Sequence, residues 1–192
     1  MPDSRAERGK TMQTQFNDPL LLAGKVLTFL MQGALALGGA LVAIMIPVVI
    51  FFQDEINSEI TAEQADIVTK LPIMPLIGLF ALILVAVALA FLFFGKLRAI
   101  IGTVGERDPF VPENADRLSF MAWTMLSIQV LMIPLAGLAL IVATWADAAG
   151  HEKVTVDAGL NLTGLLLVVV LFILARVFKH GAAMREDLEG TV

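Results

Sequence analysis

Cysteine is absent from the chain, which removes disulfides and thiolate chemistry at once. Histidine is almost as scarce: His151 and His180 are the two present, and the topology derived below puts them on opposite sides of a membrane. Clustered His, Asp or Glu ligands for a metal are therefore not expected. The sequence also lacks a Gly-rich phosphate loop ending in Lys-Ser or Lys-Thr, and a Ser, His and Asp set with a common location. Neither an enzymatic role nor a cofactor is expected. Charge is sparse: 16% of residues are charged against 58% hydrophobic, with a mean hydropathy of +0.84. Those values lie outside the range of an ordinary soluble domain.

The scarcity of charge is patterned. Val26 to Gln53 (28 residues), Leu71 to Gly95 (25), Leu118 to Ala146 (29) and Ala158 to Ala175 (18) contain no Asp, Glu, Lys or Arg. A hydrocarbon core of about 30 Å takes roughly 20 apolar residues at about 1.5 Å each. Three runs are thus long enough to cross with tilt, and the fourth only just reaches, with Arg176 snorkelling at its end. The expected fold is an all-α polytopic membrane protein with four transmembrane helices, spans at about 27–52, 73–95, 120–145 and 159–178. The first run exceeds a secretory core of about 7 to 15 residues, so it is expected as a retained span. Residues 1–18 are expected as a flexible cytoplasmic tail, 19–179 as the membrane domain and 180–192 as an amphipathic cytoplasmic tail.

Basic residues give the orientation, because short loops rich in Lys and Arg stay in the cytoplasm. Four lie in residues 1–25, four in the middle loop (Lys96, Arg98, Arg107, Arg117) and three in the tail (Arg176, Lys179, Arg185). The remaining loops, 53–72 and 146–158, carry one each, Lys70 and Lys153, against eight acids. Both termini and loop 96–119 are therefore expected in the cytoplasm. Trp123 and Trp145 are 22 residues apart, roughly 33 Å of helix, which suits a pair of interfacial anchors around the third span. In the first external loop Ile56, Ile60, Ile67 and Leu71 recur at helical spacing, and Thr61 with Gln64 forms a capping box, so a short surface helix is expected.

Within the spans, Gly38, Gly39 and Gly137 offer close helix contact. Pro47 and Pro134 are expected kinks in the first and third spans, serving as structural bends or as hinges. No ionisable residue lies inside a span, which leaves no visible proton relay, and the polar groups at depth include Gln32, Thr124, Ser127, Gln129, Asn161 and Thr163.

Two exits to the cytoplasm resemble each other: GKLRAIIGTVGERDPF after the second span and LARVFKHGAAMREDLEGTV after the fourth. Aligned on Arg98 and Arg176 without a gap, Arg107 matches Arg185, Asp108 matches Glu186, and Phe110 matches Leu188. The chain thus reads as two tandem hairpins related by an axis along the membrane normal. Pro109 ends the second helix by restricting Asp108, Pro112 suits the first turn of the next, Glu113 favours its positive end, and Asn114 is an alternative cap. In the tail, Val177, Met184 and Leu188 share a stripe, so the fourth helix is expected to run on into the cytosol.

The segment GERDPFVPENADRL and the terminus VFKHGAAMREDLEGTV resemble those of the bacterial membrane-protein family catalogued as domain of unknown function 2975. The resemblance runs from about Asp18 onward and rests on Pro109, Phe110, Asn114, Arg117 and Leu118 in the loop and on Phe178, Gly181, Arg185, Asp187, Leu188, Thr191 and Val192 in the tail. It implies a multi-pass protein of the bacterial inner membrane. Because members are often encoded beside small helix-turn-helix regulators, it also implies a cytosolic protein partner of that kind.

Two readings of the cytoplasmic face follow. In one, loop and tail close the bundle while Arg107, Arg117, Arg176 and Arg185 anchor to anionic lipid and pair with Asp108, Glu186 and Asp187. In the other, loop and tail form a docking surface, with Phe110 and Leu188 as apolar anchors and the neighbouring charges giving specificity. A small-solute transporter or channel component is the alternative function, and a second copy of the chain is the other protein partner considered. Direct nucleic-acid binding is not expected, since the net charge is -5 and each basic cluster is interleaved with acids.

Overall fold

A computed structural model of the chain describes residues 19–63, 71–105, 109–148, 155 and 161–189. The tail expected over 1–18 lies outside the described residues. The described segments form five helices: α1 (Pro19–Phe51), α2 (Gln53–Glu63), α3 (Ile73–Gly105), α4 (Pro112–Ala148) and α5 (Leu162–Glu189). α1, α3, α4 and α5 are long and apolar enough to cross a membrane. Helix is the expected response to such runs, because hydrocarbon offers no partner for backbone N–H and C=O groups and a helix satisfies them within the segment.

Local chemistry explains several of the boundaries. α1 and α4 both open on proline, whose fixed φ and missing donor suit the first helical position. Phe52 is the single residue between α1 and α2, and helical bonding persists through it: its N–H donates to the Val48 carbonyl (3.0 Å) and its carbonyl accepts from Ile56 N–H (2.9 Å). The expected surface helix is therefore present but begins at Gln53. Thr61 lies in its last turns rather than at a helix start, and the side chain of Thr61, together with Gln64 and Ile67, lies outside the described residues. Asn57 ties α2 to the start of α3, its Oδ1 accepting from Leu71 N–H at 3.0 Å.

Substantial packing runs between consecutive spans: α1 on α3, α3 on α4, and α4 on α5. The long helices therefore form an open row. α1 is the outlying member, with Leu20, Leu37, Leu41 and Phe51 all more than 60% exposed and facing the surroundings. The tightest packing joins Leu118, Met121 and Ala122 of α4 to Leu171 and Ala175 of α5, with Phe93 and Leu97 of α3 against them. In lipid such contacts hold through van der Waals fit, since the surroundings are as apolar as the side chains.

Close approaches set the level at which each helix meets its neighbour. Gly24 of α1 lies beside Ile101 of α3, Gly39 beside Val87, Gly78 of α3 beside Leu138 of α4, and the Trp123 ring of α4 meets Phe172 of α5 edge-on at 5.4 Å. Gly39 thus serves close contact as expected; at Gly38 and Gly137 a Cβ would meet nothing within 4 Å, and close contact is not their role. The start of α1, the end of α3, the start of α4 and the end of α5 share one end of the row, here the basic end.

α5 is displaced toward that end. Its first turn packs on Gln129, whose amide donates to the Asn161 carbonyl at 3.1 Å and whose side chain lies against Gly164. The 19 residues of α4 from Val130 to Ala148, about 28 Å of helix, run past the start of α5. The last helix thus starts at 162, alongside the middle of its neighbour, and runs unbroken through the boundary placed at 179. Pro47 and Pro134 lie within continuous α1 and α4, and both side chains are exposed.

Candidate functional site at the basic end

Each long helix brings cations to the same level. Lys25 of α1 reaches the Gly105 end of α3, Arg98 of α3 lies over the Phe29 ring (5.7 Å to its centre), and Lys96 lies over Phe120 of α4 (5.1 Å). Arg117 of α4 and Arg176 of α5 flank the Leu118–Ala175 cluster. Lys25, Arg98 and Arg176 are exposed, and their long apolar stems suit cations that snorkel toward a headgroup region.

Inside this ring is a polar knot on Asn114, which is fully buried. Its Nδ2 donates to Thr103 Oγ1 (2.7 Å) on α3 and to the Pro109 carbonyl (2.9 Å) in the loop, while its Oδ1 accepts from Arg117 Nη1 (2.8 Å). The Pro109 carbonyl can only accept and a guanidinium can only donate, so these partners fix the amide orientation. Thr103 completes the chain by donating its hydroxyl to the Ile100 carbonyl at 2.8 Å. Asn114 is therefore not the alternative cap expected from its position. It sits within the first turn of α4 and its side chain locks α3, the loop and α4 together.

Phe110 closes the same end against α5. Its ring stacks on Phe178 at 5.3 Å with a 39° tilt and covers Gly181, where a Cβ would fall 2.8 Å from a ring carbon. Glycine is needed here for close approach. This contact breaks the proposed repeat: α3 stops at Gly105 and the chain turns back through Pro109, whereas α5 continues as helix from Arg176 through Leu188, so Phe110 and Leu188 are not equivalent. Gly181→Ala is expected to displace the Phe110 ring and to cost about 1–3 kcal/mol, read as a lower melting temperature of the protein in detergent.

Phe110 nevertheless stays 43% exposed, because its outer face borders a groove. The groove, about 750 Å³, is lined by Phe110, Val177, Gly181 and Met184, with Arg176, His180 and Arg185 at its edges. Val177, Gly181 and Met184 recur at helical spacing, so one face of α5 supplies most of the floor. Of the other residues singled out in the sequence, Arg185, Glu186 and Asp187 are exposed on the last turns of α5. Leu188 lies in that helix with its side chain outside the described residues, as are Arg107 and Asp108 altogether. Pro47 and Pro134 lie apart from the groove.

Thr103, Val177, His180 and Met184 belong to the site without being marked for it by the sequence motifs. Val177 and Met184 carry a signal, their shared stripe with Leu188; Thr103 carries none, because its value comes from a residue 11 positions away. Among the described residues no group of three or more His, Asp or Glu side chains could hold a metal ion.

A family model described as "Protein of unknown function (DUF2975)" matches residues 53–192. That range takes in the loop, the Asn114 knot and the groove. Neither a curated protein nor a solved structure matches the chain.

Proposed function

The chain belongs to the DUF2975 family, and from that premise we propose that it is a non-enzymatic multi-pass protein of the bacterial cytoplasmic membrane whose cytoplasmic end docks a cytosolic protein. Both termini and the loop between α3 and α4 face the cytoplasm in this reading, the two long-helix pairs forming hairpins closed on the outer side. The concentration of Lys and Arg at one end of all four long helices supports the orientation.

The observation that carries the docking role is the groove between Phe110 and α5. It is built by two segments far apart in sequence, its floor is apolar and its edges are basic. From Arg176 to Met184 the helix rises about 12 Å, so in this reading the floor starts at the ring of cations and leads away from the hydrocarbon toward the cytosol. A protein seated there would bury Val177 and Met184, which are 54% and 52% exposed, and would meet Arg176 with an acid of its own. The family resemblance directs the choice of partner to a helix-turn-helix regulator.

A photoreactive residue at position 184, activated in native membranes, tests this. Capture of a helix-turn-helix protein is expected, falling about tenfold or more in Val177→Asp, since a charge set into an apolar anchor costs at least about 2 kcal/mol. Capture of lipid or of the chain itself alone, or capture indifferent to Val177→Asp, defeats the docking role.

A transport role is the second reading, favoured by the Gln129 amide buried at mid-helix beside the first turn of α5. Solute uptake by proteoliposomes, lost in Gln129→Leu while capture at position 184 persists, would select it.

A further inference from the structure

We infer that the seam between α1 and α3 at the basic end is a binding site for one anionic phospholipid, with its phosphate between Lys25 and Arg98 and an acyl chain along the seam. This site is separate from the α5 groove and does not depend on the docking role. It is formed by an apolar groove of about 410 Å³ lined by Lys25, Val26, Phe29, Leu30, Arg98 and Gly102. Two cations from different helices thus face one cleft. Among the described residues neither forms a hydrogen bond or an ion pair through its charged group, and the Arg98 guanidinium rests on the Phe29 ring.

The other cations at this level do not converge on a cleft between two helices: Arg176 lines the α5 groove, whose arginines come from α5 alone. Lys96 lies over Phe120, and Arg117 is held by Asn114 inside the knot. Lys25 and Arg98 are left paired across an apolar opening, an arrangement that suits a doubly liganded phosphate above hydrocarbon. Gly102 bears no side chain to fill the cleft, and a Cβ there would meet nothing within 4 Å.

Deeper along the same two helices lies a second apolar groove of about 390 Å³, which includes Leu35, Gly39, Leu84, Val87 and Phe91. Phe29 to Gly39 is about 15 Å of helix, which equals the hydrocarbon depth of one leaflet of a bilayer about 30 Å thick. Gln32 lies between the grooves, its amide directed toward α3 beside Gly95 and 3.5 Å from the Phe91 carbonyl. A lipid rather than a protein matches this sequence of features: charge at the mouth, then one leaflet of apolar lining.

Native mass spectrometry of the full-length protein in a neutral detergent, with phosphatidylglycerol or phosphatidylcholine of identical acyl chains, gives the test. The wild type is expected to retain one phosphatidylglycerol preferentially. Lys25→Gln with Arg98→Gln is expected to reduce that retention at least about fivefold, as removal of two surface cations predicts. Arg176→Gln with Lys179→Gln, an equal loss of charge elsewhere in the ring, is expected to leave it nearly unchanged. Equal retention of the two lipids by the wild type overturns the site, as does undiminished retention by the Lys25 and Arg98 double variant. An equal loss in both double variants also overturns it, by showing diffuse attraction to the whole ring. The substituted side chains are exposed, so an unchanged melting temperature confirms that folding is intact.

Discussion

Asn114→Leu is expected to lower the stability of the protein in detergent by about 2–4 kcal/mol, a fall of about 5–15 °C in melting temperature for a chain of this size. The volume is nearly conserved, so the loss comes from hydrogen bonding. Leucine strands the Thr103 hydroxyl oxygen, the Pro109 carbonyl and one arm of Arg117, all held by the Asn114 amide at 2.7–2.9 Å. A buried polar group left without its partner costs about 1–3 kcal/mol, and water reaching the loop recovers part of that for Pro109 and Arg117. Asn114→Asp separates hydrogen bonding from charge. The carboxylate strengthens the attraction to Arg117 but cannot donate to the Pro109 carbonyl, and it meets that oxygen as a second acceptor. If donation to Thr103 and Pro109 is what matters, Asp is destabilising despite the added ion pair; a variant with Asp as stable as the wild type would make Arg117 the dominant partner.

The same knot shows how far the sequence could be read. Four charge-free runs announced four long helices, because a backbone in hydrocarbon has few alternatives to helix, and Pro112 marked the start of α4 through its own geometry. The continuation of α5 past Arg176 was legible from the stripe of Val177, Met184 and Leu188. Side-chain roles that depend on a distant partner were not. Asn114 reads locally as a cap, since Asn near a helix start has that role most often, and only the approach of Thr103 on α3 turns it into a buried link. Phe110 reads as an exposed anchor until Gly181 is brought beneath it. The displacement of α5 was equally hidden: run length states that a helix can form, whereas the level at which two helices meet is set by side-chain fit along both of them.

These two contacts also connect stability with the docking surface. The Asn114 knot holds Pro109, and Pro109 positions Phe110 over Phe178 and Gly181, so the wall of the α5 groove hangs from a hydrogen-bond network about one helical turn away. A change that frees the knot is therefore expected to reshape the groove, and Val177→Asp is the cleaner probe of docking because Val177 lies on the exposed face of α5 outside that network.

Gly164→Ala is expected to be among the most disruptive single-methyl additions in the chain, because the new Cβ would fall within the Gln129 amide group. Neither side can retreat cheaply. Gly164 is buried and Gln129 is 6% exposed, held by its bond to the Asn161 carbonyl, while Asn161 Oδ1 accepts from Gly164 N–H at 3.2 Å and caps the start of α5. Overpacking of this kind costs about 1–3 kcal/mol, and forcing Gln129 away adds its interhelical hydrogen bond, about 0.6–2 kcal/mol in a membrane. A double-mutant cycle isolates the cause. Gln129→Ala alone is expected to cost the hydrogen bond and some packing, but in Gln129→Ala with Gly164→Ala the second methyl finds the space the amide vacated. The combined loss should then fall below the sum of the single losses by at least about 1 kcal/mol, read as melting temperatures in one detergent. Additive losses would mean that Gln129 and Gly164 do not share this contact, and with it would go the level at which α5 starts alongside α4. The Gln129–Gly164 contact is thus one of those that set the register of the last two helices, beside Trp123 on Phe172, and it leaves about 28 Å of α4 running beyond the first turn of α5.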